Sequence, residues 1–286
     1  MQNTSFADAN SDYNKAQYVI CGVPYDGTSC FRKGSRFAPL ELRKASYNFE
    51  TYSRFFDIDL NEIDIHDAGD LEVTEKIDDT LLMISVCADK YIKDGKIPVM
   101  LGGEHSLTLP FAKACKKKYP ELGFVVLDAH LDLREEYGGE RNSHACISRH
   151  IIDDVTQKYV SIGVRSGTRE EYEYVREKGI KVFSAEEVFS SGIEKINAEI
   201  RDHIKGNVYL SIDMDAIDPA YAPAIGTPEP YGLMPRDVRE VISCLAPDIV
   251  GFDLVEIAPA FDSGGTEVLG VKLVRDFIAA SAKARL

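Results

Sequence analysis

Apolar residues fall along this chain in two rhythms, and the rhythms alternate. Seven short runs are predominantly apolar rather than alternating: residues 18–23, 97–101, 123–127, 160–164, 180–183, 208–212 and 249–252. A strand with one wet face alternates polar and apolar residues, whereas a strand apolar throughout is covered on both faces, as in a parallel sheet between layers of helix. Between the runs the period lengthens. Ile77, Leu81, Ile84, Ala88 and Tyr91 step by four, three, four and three, which draws one stripe on a helix. Capping and propensity signals predict further helices over 39–47, 106–118, 169–178, 193–204, 235–245 and 267–282. The expected architecture is an α/β/α three-layer sandwich in one domain over residues 1–286, because neither a linker nor a fixed-period repeat interrupts the alternation. The Gly- and Pro-rich stretch 218–232 is long for a bare connection and reads as a functional loop.

Composition narrows the class of partner. The chain has 286 residues, 44% hydrophobic and 28% charged, enough for a sizeable core without staples. With 33 basic against 47 acidic residues the net charge is −14. Such a field repels phosphate backbones and anionic headgroups and attracts cations, which argues against a nucleic-acid partner. No apolar run reaches the roughly 20 residues of a membrane helix, so no membrane span is expected. The first residues, with Asp8, Asp12 and several amides, do not read as a secretory signal. Six cysteines without a CxxC pair suit reduced thiols, and a cytoplasmic location is expected.

Candidate chemistry collects just beyond four of the apolar runs, the edge where open α/β sheets bind ligands. Leu101-Gly102-Gly103-Glu104-His105-Ser106 offers a sharp turn and an imidazole; alone, His105 reads as a satisfied, partly buried histidine. In Asp128-Ala129-His130-Leu131-Asp132 the three polar residues are two apart and share a face in extended backbone. Asp213 and Asp215 repeat that spacing after 208–212. Carboxylates packed against buried strands repel one another unless a cation compensates them. Two histidines (His105, His130) and four aspartates (Asp128, Asp132, Asp213, Asp215) exceed what one tetrahedral ion accepts. Two ions fit, with Asp128 and Asp213 bridging, and an oxygen-rich shell without cysteine favours two Mn²⁺ ions over Zn²⁺. On spacing alone Glu256, at the end of Phe252-Asp253-Leu254-Val255-Glu256, is either a site acid or a loop cap, and His144 in Ser143-His144-Ala145-Cys146 is either catalytic or on the surface.

The segments GGEHS, DAHLDLR, SIDMDAIDPAYAPAIGTPEP and GFDLVEIAP, in this order between about residues 100 and 260, resemble the ureohydrolase family of arginases and agmatinases. The early stretch VPYDGTSCFRKGSRFAP looks like the agmatinase branch. The resemblance implies an arginase/deacetylase-like fold with an eight-stranded parallel sheet, a binuclear manganese centre, and hydrolysis of a guanidino group to urea and an amine. It implies that His105, Asp128, Asp132 and Asp213 hold one ion and Asp128, His130, Asp213 and Asp215 the other. Glu256 matches the glutamate that holds the guanidinium and His144 the proton-transfer histidine. The implied partner is a small cationic guanidino substrate, agmatine first, with guanidinobutyrate, guanidinopropionate, arginine and formimidoylglutamate as alternatives. The implied assembly is a homotrimer or homohexamer. Two positions depart from the family pattern: Glu104, where relatives often carry aspartate, and Tyr231, where paired glycines usually follow GTPEP.

Three alternatives stand beside these readings. Glu135, Glu136 or Glu140 attracts a distal ammonium group, or else they form a solvated face. Cys146 near His144 suggests a thiolate enzyme that modifies guanidines. A metal-stabilised binding protein without turnover is the reading from a different class.

Overall fold

The apolar runs do form strands, and all but the edge strand over 181–184 are buried along their length. The computed structural model describes residues 5–286. In chain order its strands are β1 (Tyr18–Gly22), β2 (Tyr52–Ser53), β3 (Ile58–Asp59), β4 (Ile65–Asp70), β5 (Ile97–Leu101), β6 (Gly123–Leu127), β7 (Tyr159–Val164), β8 (Lys181–Ser184), β9 (Val208–Asp213) and β10 (Ile249–Val255). Its helices are α1 (Ala38–Ser46), α2 (Ile77–Lys93), α3 (Thr108–Lys118), α4 (Ile147–His150), α5 (Arg169–Lys178), α6 (Ala185–Ser191), α7 (Ile193–His203), α8 (Pro235–Leu245) and α9 (Gly265–Lys283). Eight strands make one all-parallel sheet in the order β4-β1-β5-β10-β9-β6-β7-β8, while β2 and β3 form a small antiparallel pair.

Strand residues alternate between two cores. Tyr18, Ile20, Val99, Leu101, Leu210, Ile212, Phe252 and Leu254 pack beneath α1, α7, α8 and α9. Val19, Cys21, Met100, Phe124, Val126 and Tyr209 pack beneath α2, α3 and α4. The predicted stripe of α2 is buried at all five positions. Among the described residues no helix is long and apolar enough to cross a membrane.

One strand escapes the apolar pattern, and its chemistry explains why. Strand β4, Ile-His-Asp-Ala-Gly-Asp, is a sheet edge and pairs only with β1. Its Asp67 and Asp70 bind the buried guanidinium of Arg43 on α1 at 2.8 and 2.5 Å. An edge strand used to pair a buried charge has no need of apolar residues. Helix α6 and the turn from α4 into the π-helical segment Ile151–Val155 also lie outside the predicted elements.

The sheet order has one consequence for the site. The strands β5, β10, β9 and β6, which precede the four chemical segments, lie side by side in the middle. Leu101, Leu254, Ile212 and Leu127 stand in register across them. The residues that follow therefore emerge at one level of the carboxyl edge.

Candidate metal centre and catalytic pocket

The turn after β5 requires glycine at one position. A Cβ on Gly103 would lie 1.8 Å from the carbonyl oxygen of Tyr25, so only a residue without a side chain lets the strand end pass beneath that loop. Beyond the turn, His105 faces the ends of β6 and β9. Its Nδ1 is 3.2 Å from Asp128 Oδ2, 3.1 Å from Asp213 Oδ2 and 3.5 Å from Asp132 Oδ2. Beside it His130 Nδ1 lies 2.9 Å from Asp215 Oδ2 and 3.7 Å from Asp128 Oδ1. His105, Asp128 and Asp132 form one group with ligand atoms close enough for an ion, and Asp128, His130 and Asp215 form a second. Asp128 belongs to both. Asp213 turns Oδ2 to His105 while its Oδ1 accepts the Asp215 N–H at 2.9 Å.

The protonation of His105 follows from its other nitrogen. Ser211 donates its hydroxyl proton to Asp253 Oδ1 at 2.6 Å, and Tyr209 donates to Asp253 Oδ2 at 2.7 Å. The Ser211 oxygen is left to accept, and His105 Nε2 donates to it at 3.1 Å. In the neutral ring Nδ1 then carries only a lone pair. Both Nδ1 and Asp128 Oδ2 are fully buried and make no hydrogen bond. A lone pair facing three carboxylates is repulsive unless a cation lies among them.

The electrostatics agree. Burial and the charge of Asp128 push Asp132 up to about 7. Burial and the neighbouring Asp215 hold Asp213 well above the carboxylate range. Burial opposes charge on His105 and His130, yet the surrounding aspartates raise both imidazoles. The cluster calls for positive charge, and its donor set of imidazole nitrogens and carboxylate oxygens fits hard or borderline divalent ions.

The cluster adjoins a cavity of about 300 Å³ lined by Asp132, Asp213, Asp215, His130, His144, Thr227 and Glu256, with His105 and Asp128 buried behind it. Asp132 and Glu256 adopt left-handed backbone, with φ of 51° and 66°. Such strain costs about 1–3 kcal/mol per residue and persists where the surrounding structure fixes it. Glu256 Oε1 accepts the His105 N–H at 2.8 Å, which ties the two strand ends together. Burial and nearby Glu104 push Glu256 well above the usual carboxylate range. His144 is brought in by its own loop. Its burial pushes it down to about 4, so it is uncharged at neutral pH.

All eight candidate side chains thus meet at one place. Several residues that hold them were quoted in the motifs without a role. Ser211 and Asp253 interrupt otherwise apolar strands, a signal legible in the sequence. Thr227 donates to Asp215 Oδ2 at 3.1 Å, from within the long loop. Arg165 donates to the backbone carbonyls of Asp215, Glu229 and Pro230, anchoring that loop from below. Nothing local in the sequence marks Arg165 for this task.

Two alternatives left open by the sequence are decided here. Glu135 and Glu136 are exposed, Glu135 pairs with Arg149, and neither these nor Glu140 lines the cavity. The rim instead carries Cys30, Arg134 and Tyr137, with the Arg134 guanidinium 4.8 Å from the Tyr137 ring centre and 3.9 Å from Glu171. Cys146 is buried, lies outside the cavity lining, and burial raises its thiol to about 11, which denies it the thiolate a nucleophile needs.

Comparison with known proteins agrees with this picture. The model of the arginase family matches residues 16–280. An agmatinase of Halalkalibacterium halodurans is 38% identical over 279 residues, covering 96% of this chain and 95% of its own. A guanidinobutyrase of Pseudomonas aeruginosa is 36% identical, covering 91% of this chain and 85% of its own. The crystal structure of an agmatine ureohydrolase of Thermoplasma volcanium superposes with a TM-score of 0.94 at 41% identity, covering 99% of this chain and 96% of that one.

Proposed function

We propose that this chain, which belongs to the arginase family, hydrolyses agmatine to putrescine and urea. It is a ureohydrolase acting on guanidino compounds; the substrate, the metal and the residue roles are the proposal. The observation that carries it is the meeting of four aspartates and two histidines, of which His130, Asp132, Asp213 and Asp215 line a cavity that Glu256 and His144 also line. His105, Asp128, Asp132 and Asp213 would hold one manganese ion, and Asp128, His130, Asp213 and Asp215 the other. When bound, the ion pair lowers the pKa of water towards roughly 7 and makes hydroxide available at neutral pH.

The protein's own residues do the rest. Glu256 keeps Oε1 on the His105 N–H and offers Oε2 to the guanidinium, fixing the planar group by a charge-assisted hydrogen bond and placing its carbon for attack. Oxygen adds to that carbon, the bond to the alkyl nitrogen breaks, and that nitrogen needs a proton before it leaves as the amine. Neutral His144 takes up the proton that water releases on becoming hydroxide and returns it to the departing nitrogen. Water and agmatine are consumed; urea and putrescine result.

Agmatine leads because the relatives include agmatinases and an agmatine ureohydrolase. One observation favours a guanidino acid such as guanidinobutyrate: the guanidinium of Arg134 at the rim suits a distal carboxylate. We place the enzyme in the cytoplasm as a single-domain homotrimer or homohexamer. Urea release with Mn²⁺ across agmatine, arginine, guanidinobutyrate and guanidinopropionate tests the reading. Agmatine should give the highest kcat/KM. No urea from any of them would leave a metal-stabilised binding protein.

A further inference from the structure

We propose that Glu104 is a positioning residue that sets the tautomer of His144 through the hydroxyl of Thr28. The proposal rests on the reading of His144 as the proton-transfer residue.

Glu104 is fully buried beside His105. Its Oε1 accepts the hydroxyls of Thr28 at 2.5 Å and Ser106 at 2.6 Å, and its Oε2 accepts the backbone N–H groups of Thr28 at 2.7 Å and Ser29 at 3.2 Å. A carboxylate only accepts, so the single hydroxyl proton of Thr28 is committed to Glu104. The Thr28 oxygen is left with lone pairs alone. Two groups of His144 face it, the backbone N–H at 3.0 Å and the ring Nδ1 at 3.2 Å. Nδ1 must therefore bring the proton. A neutral imidazole has one, which leaves Nε2 bare.

A bare Nε2 is what proton transfer requires, since the ring must first accept a proton and then release it. Were the Thr28 hydroxyl free to rotate, it would donate to Nδ1 as readily as accept from it, and part of the population would hold the unusable tautomer. Glu104 removes that freedom. The Ser143 hydroxyl, 3.3 Å from Nδ1, is the competing contact, because donation from it would place the proton on Nε2. The two arrangements predict opposite tautomers.

The test combines ring-nitrogen NMR with kinetics on the full-length chain. In ¹⁵N-histidine protein without added manganese, His144 should show a protonated Nδ1 and a bare Nε2. E104Q and T28V should shift it towards the other tautomer. Both should lower kcat at least about tenfold, a fraction of the usual general acid–base contribution, with KM and manganese content unchanged. T28S, which restores the hydroxyl, should return kcat to near the wild-type value. A bare Nδ1 in the wild type, or wild-type kcat in T28V, overturns the proposal. So does a T28V variant that loses manganese along with rate, which marks Thr28 as structural. If E104Q does not fold, the T28V and T28S pair decides alone. H144A with an unchanged rate would instead sink the parent reading, whereas slow H144A beside normal T28V sinks only this one.

Discussion

The floor and the rim of the pocket are built by opposite means. Floor residues stand at or just beyond the ends of four adjacent strands in register, and His105, Asp128, Asp213 and Asp215 are at most 3% exposed. Rim residues such as Cys30, Arg134 and Tyr137 come from loops and are partly or fully exposed. A buried charge cluster tolerates no displacement, because every unpaired carboxylate in a low dielectric costs several kcal/mol. An exposed guanidinium stacked on a tyrosine is screened by water and loses little when moved. The floor is thus suited to fixed chemistry and the rim to substrate choice.

Substitution on the floor should have the largest effect. Asp128→Asn removes a charge from both ion groups, and we expect loss of both manganese ions and of at least about 10³ in kcat, as befits a group that holds the nucleophile in place. Elemental analysis and urea release check it; unchanged manganese stoichiometry would break the claim that Asp128 serves both. His144→Ala should keep its manganese and lose about 10²- to 10⁴-fold in kcat, read from urea release at saturating substrate. An unaltered rate would assign proton transfer elsewhere.

Smaller effects sharpen the contrast. Chelation should lower the thermal midpoint, since an ion at a hundred times its Kd contributes about 2.7 kcal/mol to the folded state; calorimetry with and without manganese reads it, and identical midpoints would mean the floor folds content without cations. Arg134→Ala should move the preference between agmatine and guanidinobutyrate about tenfold towards agmatine, equivalent to about 1.4 kcal/mol, mainly through KM. No change in that ratio would release the rim from specificity. Least of all, alkylating a Cys30→Ser variant should leave turnover intact, because the buried thiol of Cys146 does not react; inactivation would revive a cysteine mechanism.

Much of this was legible in the sequence for a definite reason. Strands packed between layers of helix are predominantly apolar, so seven of the eight sheet strands are visible as runs. β4 is not, because an edge strand bonded to Arg43 is polar by function. Five of the six ligand candidates show through their two-residue spacing, which is a property of extended backbone itself, whereas His105 stands alone after its turn. Glu256 and His144 had no such local signature and were carried by resemblance. Glu135, Glu136 and Glu140 left two readings open because acidity along a chain says nothing about which way a loop faces.

What the order of amino acids determined by itself was local: which segments are strands and helices, which acids share a face, and a net charge suited to cations. Only the tertiary structure decided that β5, β10, β9 and β6 stand together although β9 and β10 follow β6 by some eighty residues or more. That adjacency puts His105 against Asp128 and Asp213, orients its lone pair through Ser211 and Asp253, and lets Arg165 and Thr28 reach residues far along the chain. Period and propensity act over a few residues, whereas repulsion between buried carboxylates and the choice of a tautomer depend on distances in space, which exist only once the sheet has closed.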